Sequence, residues 1–266
     1  METPVIFETH AHYDDEAFAQ DRENLLASMQ EHGIGYIVNA CASIESLKDT
    51  EELMEQYPFV YGAFGIHPDD AEKMTEETLE EIRQLSRLPK AVAIGEIGLD
   101  YYWHKEEHEH EHEHEIQKKM FLAQMEIARE EKLPFMVHSR DAAKDTLDLV
   151  KDCMKGGMYG GIIHCFSYGK EMAREYLDMG LYLGIGGVVT FKNAKKLKEV
   201  VAYAPLEQLV LETDSPYLSP EPNRGKRNSS LNLPYVAEAI AQIKGCSEEE
   251  VIAVTEENAK KLLLRK

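Results

Sequence analysis

Short β-branched and aliphatic runs alternate along this chain with longer segments whose apolar residues recur at helical spacing. The short runs predict strands over 5–9 (VIFET), 35–40 (GYIVNA), 60–66 (VYGAFGI), 91–97 (AVAIGEI), 134–138 (PFMVH), 160–166 (GGIIHCF), 181–187 (LYLGIGG) and 209–213 (LVLET). Between them, amphipathic patterns predict helices such as 22–32, 75–87, 116–131, 142–154 and 171–179. Thr75 is a predicted N-cap, with Thr78 three residues on and Glu76 and Glu77 favouring the positive end of the helix it starts. No linker or shift in composition divides the chain. Eight strands, each followed by helical sequence, predict one α/β domain over residues 1–266, a parallel (β/α)8 TIM barrel rather than an open sheet.

One segment breaks the pattern. Residues 104–115 read HKEEHEHEHEHE, a low-complexity tract between the fourth strand and the next helix. It is expected to be a solvated loop insertion. Alternating His and Glu can bind transition metals, and His110 and His114 would share a helical face. A repeat without apolar anchors is nevertheless poorly suited to hold a rigid catalytic geometry.

Polar residues fall at telling places on the apolar runs. His10 and His12 end the first strand as His-Ala-His, and residues two apart in an extended chain point to the same side. Glu96 closes AVAIGE, His138 closes PFMVH, His164 lies in GGIIHCF, and Asp214 follows LVLET. In a closed parallel barrel the C-terminal strand ends converge on one face, where such barrels place their active sites. Any one of these histidines alone would be an ordinary core residue. Four histidines and two carboxylates at the same strand position predict a metal site, because burying two carboxylates together costs several kcal/mol without a cation.

Six donors exceed the needs of one tetrahedral ion, and imidazole with carboxylate and no thiolate suits Zn, Mn, Mg or Fe. Two divalent ions are therefore expected, with Glu96 as the bridge. His10, His12 and Asp214 would complete one ion, and His138 and His164 the other. Such a pair, about 3.5–4 Å apart, can serve an in-line displacement at phosphorus.

Composition narrows the partners. The 266 residues are 43% hydrophobic with a formal charge of −20, of which the six glutamates from Glu106 to Glu115, offset by Lys105, account for −5. A broad basic face that coats nucleic acid is excluded, so a polyanionic substrate must be held by metal ions and a few placed cations. No run approaches the roughly 18–20 apolar residues of a membrane span. The N-terminal METPVIFETH shows no signal-peptide pattern, and the four cysteines, Cys41, Cys153, Cys165 and Cys246, form no CxxC pair. A cytoplasmic protein with reduced thiols, no membrane association and no obligate protein partner is expected.

The blocks FETHAHYDD, GIHP, GEIGLDYY, HSRDA, HCFS, GIGGVVTFKNAKKLKEVV, LETDSPYLSP and NRGKRN, in that order, resemble the signature blocks of the TatD-type deoxyribonucleases, among the amidohydrolase-like metal hydrolases. The resemblance runs from about Phe7 to the final helical segment ENAKKLL. It implies a distorted TIM barrel, divalent-metal dependence and DNase activity, often 3′ to 5′ exonucleolytic. By motif position it also implies metal ligands at His10, His12, Glu96, His138, His164 and Asp214, the same six reached from strand placement. The chain departs from the family in two places. Glu8 stands where the family usually has Asp, and the His-Glu tract replaces a short connection after GLDYYW.

Further residues are expected to handle substrate. Arg224, Lys226 and Arg227 form a dense basic cluster shortly after Asp214 and are a candidate phosphate clamp, Arg being suited to bidentate phosphate contact. Arg140, two residues after His138, should also face the mouth. His67, in the Gly-Ile-His-Pro turn, is expected to contact phosphate or protonate the leaving group, and Asp214 to act as general base beside Glu96 as catalytic carboxylate. The principal expectation is a phosphodiesterase acting on DNA ends or single strands. The alternatives are a hydrolase of a small amide, lactone or phosphoester, and a metal-storage scaffold built on the His-Glu tract.

Overall fold

The structure, a computed structural model, describes residues 4–102 and 111–264. Eight strands, β1 (Ile6–Ala11), β2 (Ile34–Ala40), β3 (Val60–Phe64), β4 (Ala91–Asp100), β5 (Phe135–Arg140), β6 (Gly161–Ile163), β7 (Tyr182–Ile185) and β8 (Leu209–Leu211), pair in sequence order, all parallel. Nine α-helices are described around and below them: α1 (Arg22–Ser28), α2 (Ile44–Gln56), α3 (Glu76–Leu85), α4 (Glu111–Glu130), α5 (Ala143–Lys155), α6 (Lys170–Asp178), α7 (Lys195–Tyr203), α8 (Leu233–Lys244) and α9 (Glu248–Leu263). The predicted TIM barrel is the observed fold. Its last seam, between β1 and β8, is closed by the parallel bridge Ala11–Ser215 and by backbone bonds from His12 N to Ser215 O (2.8 Å) and from Asp214 N to His10 O (3.0 Å).

Local chemistry explains the element boundaries. Thr75 caps α3 as expected: its hydroxyl accepts from Thr78 N while the Thr78 hydroxyl accepts from Thr75 N, both at 3.3 Å. Most strand positions are buried, as β4 is at all ten, because helices cover one face and the barrel interior the other. Phe7, Met136, Ile162 and Val210 belong to an interior cluster that also takes in Ala259, Leu262 and Leu263, so α9 plugs the lower end of the barrel. Two residues beyond Met136, Ile162 and Val210 lie His138, His164 and Glu212. The period of two thus sets a polar layer directly above an apolar floor.

The His-Glu tract is not wholly a loop. Residues 111–115 form the first turn of α4, and the Tyr101 ring stacks on His114 with centroids 3.7 Å apart. Buried Gln117 and Phe121 anchor that helix, and propagation back through Glu and His adds a hydrogen bond per residue without a new nucleus. His110 and the rest of the tract lie outside the described residues.

Gly98, one residue past Ile97 on β4, has φ +147°, and a Cβ there would fall inside the His138 carbonyl. Gly98→Ala is therefore expected to lower stability by about 3 kcal/mol or more, combining a disfavoured backbone region with a backbone clash. Thermal unfolding of the purified variant checks this, and an unchanged melting temperature would contradict it.

Candidate metal centre

Six side chains meet at the C-terminal mouth of the barrel, one set from each expected strand end. His10 Nε2 lies 3.2 Å from both His12 Nε2 and Glu96 Oε2. His12 Nε2 lies 3.3 Å from Asp214 Oδ1, and His138 Nδ1 lies 2.8 Å from Glu96 Oε1. His164 Nε2 stands between the two carboxylates, 3.7 Å from Glu96 Oε1 and 3.6 Å from Asp214 Oδ1. Donor atoms within 4.8 Å of one another form the groups His10–His12–Glu96, Glu96–His138–His164 and His10–His164–Asp214. Glu96 is shared by two of them, one on each of its oxygens.

The outward nitrogens of three of the histidines are held by acceptors. His12 Nδ1 donates to the Ala40 carbonyl (2.8 Å), His164 Nδ1 to Glu212 Oε2 (3.1 Å) and His138 Nε2 to Asp100 Oδ2 (3.2 Å). An acceptor on one ring nitrogen fixes the proton there and leaves the lone pair of the other facing inward. Three imidazole lone pairs and two carboxylates therefore point at one small volume. That is the donor set a divalent cation requires, and without one the close approach of His10 Nε2 to His12 Nε2 brings two basic nitrogens together.

Backbone conformation aims these groups. Asp141, Cys165 and Asp214, which follow β5, β6 and β8, have φ of +53°, +46° and +59°. Left-handed backbone costs non-glycine residues roughly 1–2 kcal/mol each and clusters at functional sites. Gly184 on β7 leaves room for Glu212, whose carboxylate occupies the space a Cβ would need, and Glu212 Oε1 also accepts from Cys165 N (2.6 Å). Glu8 is fully buried, accepting from Thr213 N (2.9 Å), Thr213 Oγ1 (2.6 Å), Ser230 Oγ (2.9 Å) and His10 N (3.1 Å). Its longer side chain thus ties β1 to the segment after β8, supporting His10 through the backbone rather than through the ring. Burial outweighs these hydrogen bonds and lifts the Glu8 carboxyl to about 8.

The protein's own charges make the centre receptive to cations. Burial disfavours ionised Glu96, but the charges of His164 and His10 and hydrogen bonds to His10 and His138 hold it well below the usual carboxylate range. Burial likewise opposes protonation of His12, yet its hydrogen bond to Asp214 and the charges of Glu96, Asp214 and Asp14 push it to about 10. His138 and His164 are raised in the same way, to about 10 and about 9, by Asp100 and Glu96 and by Glu212 and Glu96 against burial. Protons on the inward nitrogens of His12, His138 and His164 hold the place of positive charge, and a divalent cation would displace them to reach the lone pairs.

The expected substrate residues divide. His67 lies at the rim with Nε2 3.9 Å from Glu96 Oε1; its Nδ1 accepts from Asp69 N (3.2 Å), which leaves the hydrogen on Nε2. Burial and the nearby His138 lower its pKa to about 4. Arg140 is exposed at the end of β5, its guanidinium 3.6 Å from the Tyr102 ring centre and 3.9 Å from Asp100. Arg224 lies over Phe191 at 4.2 Å, and Lys226 is exposed beside it. Arg227 makes a two-pronged pair with Asp21 (2.6 and 2.7 Å), donates to the Ala17 carbonyl (2.8 Å) and covers Phe18, so it ties the segment after β1 to that after β8.

Asp100 and Glu212 escaped the sequence reading. Both were visible in principle, since Asp100 shares the strand parity of Glu96 and Glu212 that of Asp214.

The family described as TatD related DNase matches residues 7–264. The chain is 44% identical over 259 residues to the uncharacterised metal-dependent hydrolase YabD of Bacillus subtilis, covering 97% of this chain and 98% of that one. It is 31% identical over 263 residues to the 3′-5′ ssDNA/RNA exonuclease TatD of Citrobacter rodentium, covering 97% of each. Among solved structures, YJJV, a TatD homologue from Escherichia coli, superposes with a TM-score of 0.89 at 28% identity over 98% of both chains.

Proposed function

This chain belongs to the TatD related DNase family and is a metal-dependent hydrolase, and on that premise we propose that it cleaves phosphodiester bonds of DNA, as a 3′-5′ exonuclease on ends or single strands, with two divalent ions. The observation that carries the reading is Glu96, one carboxylate facing His10 and His12 with one oxygen and His138 with the other. The relative from Citrobacter rodentium named as a single-strand exonuclease supports the substrate class. His10, His12 and Asp214 would hold one ion, His138 and His164 the other, and Glu96 both. Divalent ions bound there supply Lewis acidity, lowering the pKa of water and neutralising charge that develops at phosphorus.

The chain's own residues do the rest. Asp214 Oδ1 sits among His10, His12 and His164 and takes the proton of the attacking water. His67 Nε2–H donates a hydrogen bond to a phosphate oxygen from the opposite side of Glu96. Arg140, Arg224 and Lys226 face phosphates further along the strand, the guanidiniums already oriented by Tyr102 and Phe191. No described helix is long and apolar enough to cross a membrane.

The test is cleavage of end-labelled single- and double-stranded DNA with Mg, Mn or Zn. A ladder shortening from the 3′ end is expected, and intact DNA under all three metals would refute the proposal. A smaller effect is expected at Glu212. Glu212→Gln keeps the shape but weakens the acceptor on His164 Nδ1, and should lower metal affinity by about 10- to 100-fold. Competition with a chelating dye measures this, and unchanged affinity would remove Glu212 from its supporting role.

A further inference from the structure

The top face of the barrel is electrically lopsided. The helix N-termini of α1 through α6 each carry an acidic residue in the first turn, but those of α7 and α8 carry none. α7 opens instead with Lys195 and Lys196, against its own macrodipole. In a chain of net charge −20, residues 186–204 hold four lysines, Lys192, Lys195, Lys196 and Lys198, against the single acid Glu199. Lys192, Lys195 and Lys196 are exposed, and Lys198 is half-buried. Elsewhere lysines such as Lys48, Lys73, Lys144, Lys155 and Lys260 are neutralised by a carboxylate three or four residues away on the same stretch of chain. Among the described residues none of the four is paired in this way.

This cationic patch adjoins the metal centre. A cavity of about 30 Å³ is bounded by Asp214 and Glu212 on one side and by Val188 and Leu197 on the other, so the helix that carries the lysines shares a wall with a metal-site carboxylate. The segments after β7 and β8 are fastened together there: Glu221 N donates to Thr190 Oγ1 (2.8 Å), and Arg224 Cζ lies over the Phe191 ring, 4.2 Å from its centre. The outcome is one ridge with an aromatic ring, a stacked guanidinium and unpaired ammonium groups leading away from the mouth. An aromatic face with a track of cations is what a single strand requires: bases stack without regard to sequence, and phosphates run along the charges. A small neutral substrate would use neither.

We propose that the ridge formed by Phe191, Arg224 and Lys192, Lys195 and Lys196 is a single-strand track, which holds the nucleotides beyond the scissile phosphate and makes the protein a binder of single-stranded nucleic acid several nucleotides long. The proposal rests on the nuclease reading for its direction, but its test is a binding measurement. Lys195→Glu/Lys196→Glu is compared with Arg129→Glu/Lys155→Glu, which changes net charge equally at the C-terminal ends of α4 and α5, the opposite end of the barrel. Each is titrated, as metal-loaded protein, into a fluorescent phosphorothioate single-stranded 20-mer that resists cleavage, at several salt concentrations. Thermal melting confirms that both variants are folded.

The track predicts at least a tenfold weaker Kd for the α7 pair at low salt and a shallower dependence of log Kd on log salt, by about 1.4, two contacts at about 0.7 each. The control pair should stay within about twofold of the parent protein. Equal losses in both variants would reduce the effect to net charge and overturn the proposal, as would no loss in either. Failure of the parent protein to shorten an unmodified 20-mer would refute the nuclease reading separately, while the binding contrast would still decide the track.

Discussion

Glu96→Gln is expected to lower kcat/KM on single-stranded DNA by at least about 10³-fold and to leave the purified protein with less than half its divalent metal. The substitution is nearly isosteric, so the barrel should survive it. The charge is what goes. Glu96 Oε2 lies 3.2 Å from His10 Nε2 and 3.6 Å from His12 Nε2, while Oε1 lies 2.8 Å from His138 Nδ1. An amide in that position offers one weak acceptor where the proposed bridge needs an anion on each side. A loss of 10³ corresponds to about 4 kcal/mol of transition-state stabilisation, within reach of removing one formal charge from a water-poor site. Metal content by elemental analysis after dialysis, beside kinetics on an end-labelled strand, separates the two effects. Full metal occupancy with near-normal turnover would show that Glu96 bridges nothing.

The sequence revealed which donors would meet because strand ends in a parallel barrel are marked by a change in chemistry. PFMVH and LVLETD each turn from apolar to ionisable at the point where the chain leaves the interior, and the structure sets His138 and Asp214 at that point. What periodicity could not show is where ladder pairing stops. β6 ends at Ile163 and β8 at Leu211, before His164 and Asp214, because the left-handed residues Cys165 and Asp214 turn the chain out of the sheet. Asp100 and Glu212 were lost among acidic residues because their roles depend on which histidine nitrogen they reach, a three-dimensional fact. The pairing of Arg227 was hidden for the same reason. Its neighbour in sequence is the basic cluster, but its neighbour in space is Asp21, some 200 residues earlier. The lysines of α7 were hidden by a motif that marked the segment only as a family block.

Asp214→Asn is expected to lower kcat by about 10²- to 10³-fold while sparing much of the metal affinity, the reverse emphasis to Glu96. Asparagine tolerates the left-handed backbone that Asp214 adopts at φ +59°, so the turn after β8 should persist. Its side-chain oxygen can still face His12, 3.3 Å away in the parent, and can still act as a neutral ligand. What the amide cannot do is accept a proton from water, and a positioned general base is worth typically 10²- to 10⁴-fold. In the parent, burial raises the Asp214 carboxyl, but the hydrogen bond with His12 and the charges of His164, His12 and His10 outweigh it and keep the group ionised. The decisive contrast is with Asp214→Ala, which removes ligand and base together and should lose metal as well as turnover. If Asn and Ala are equally depleted of metal, Asp214 is a ligand first, and its part in proton transfer has no support. If Asn turns over within about tenfold of the parent, the water loses its proton to another group, and the assignment of the base moves away from β8.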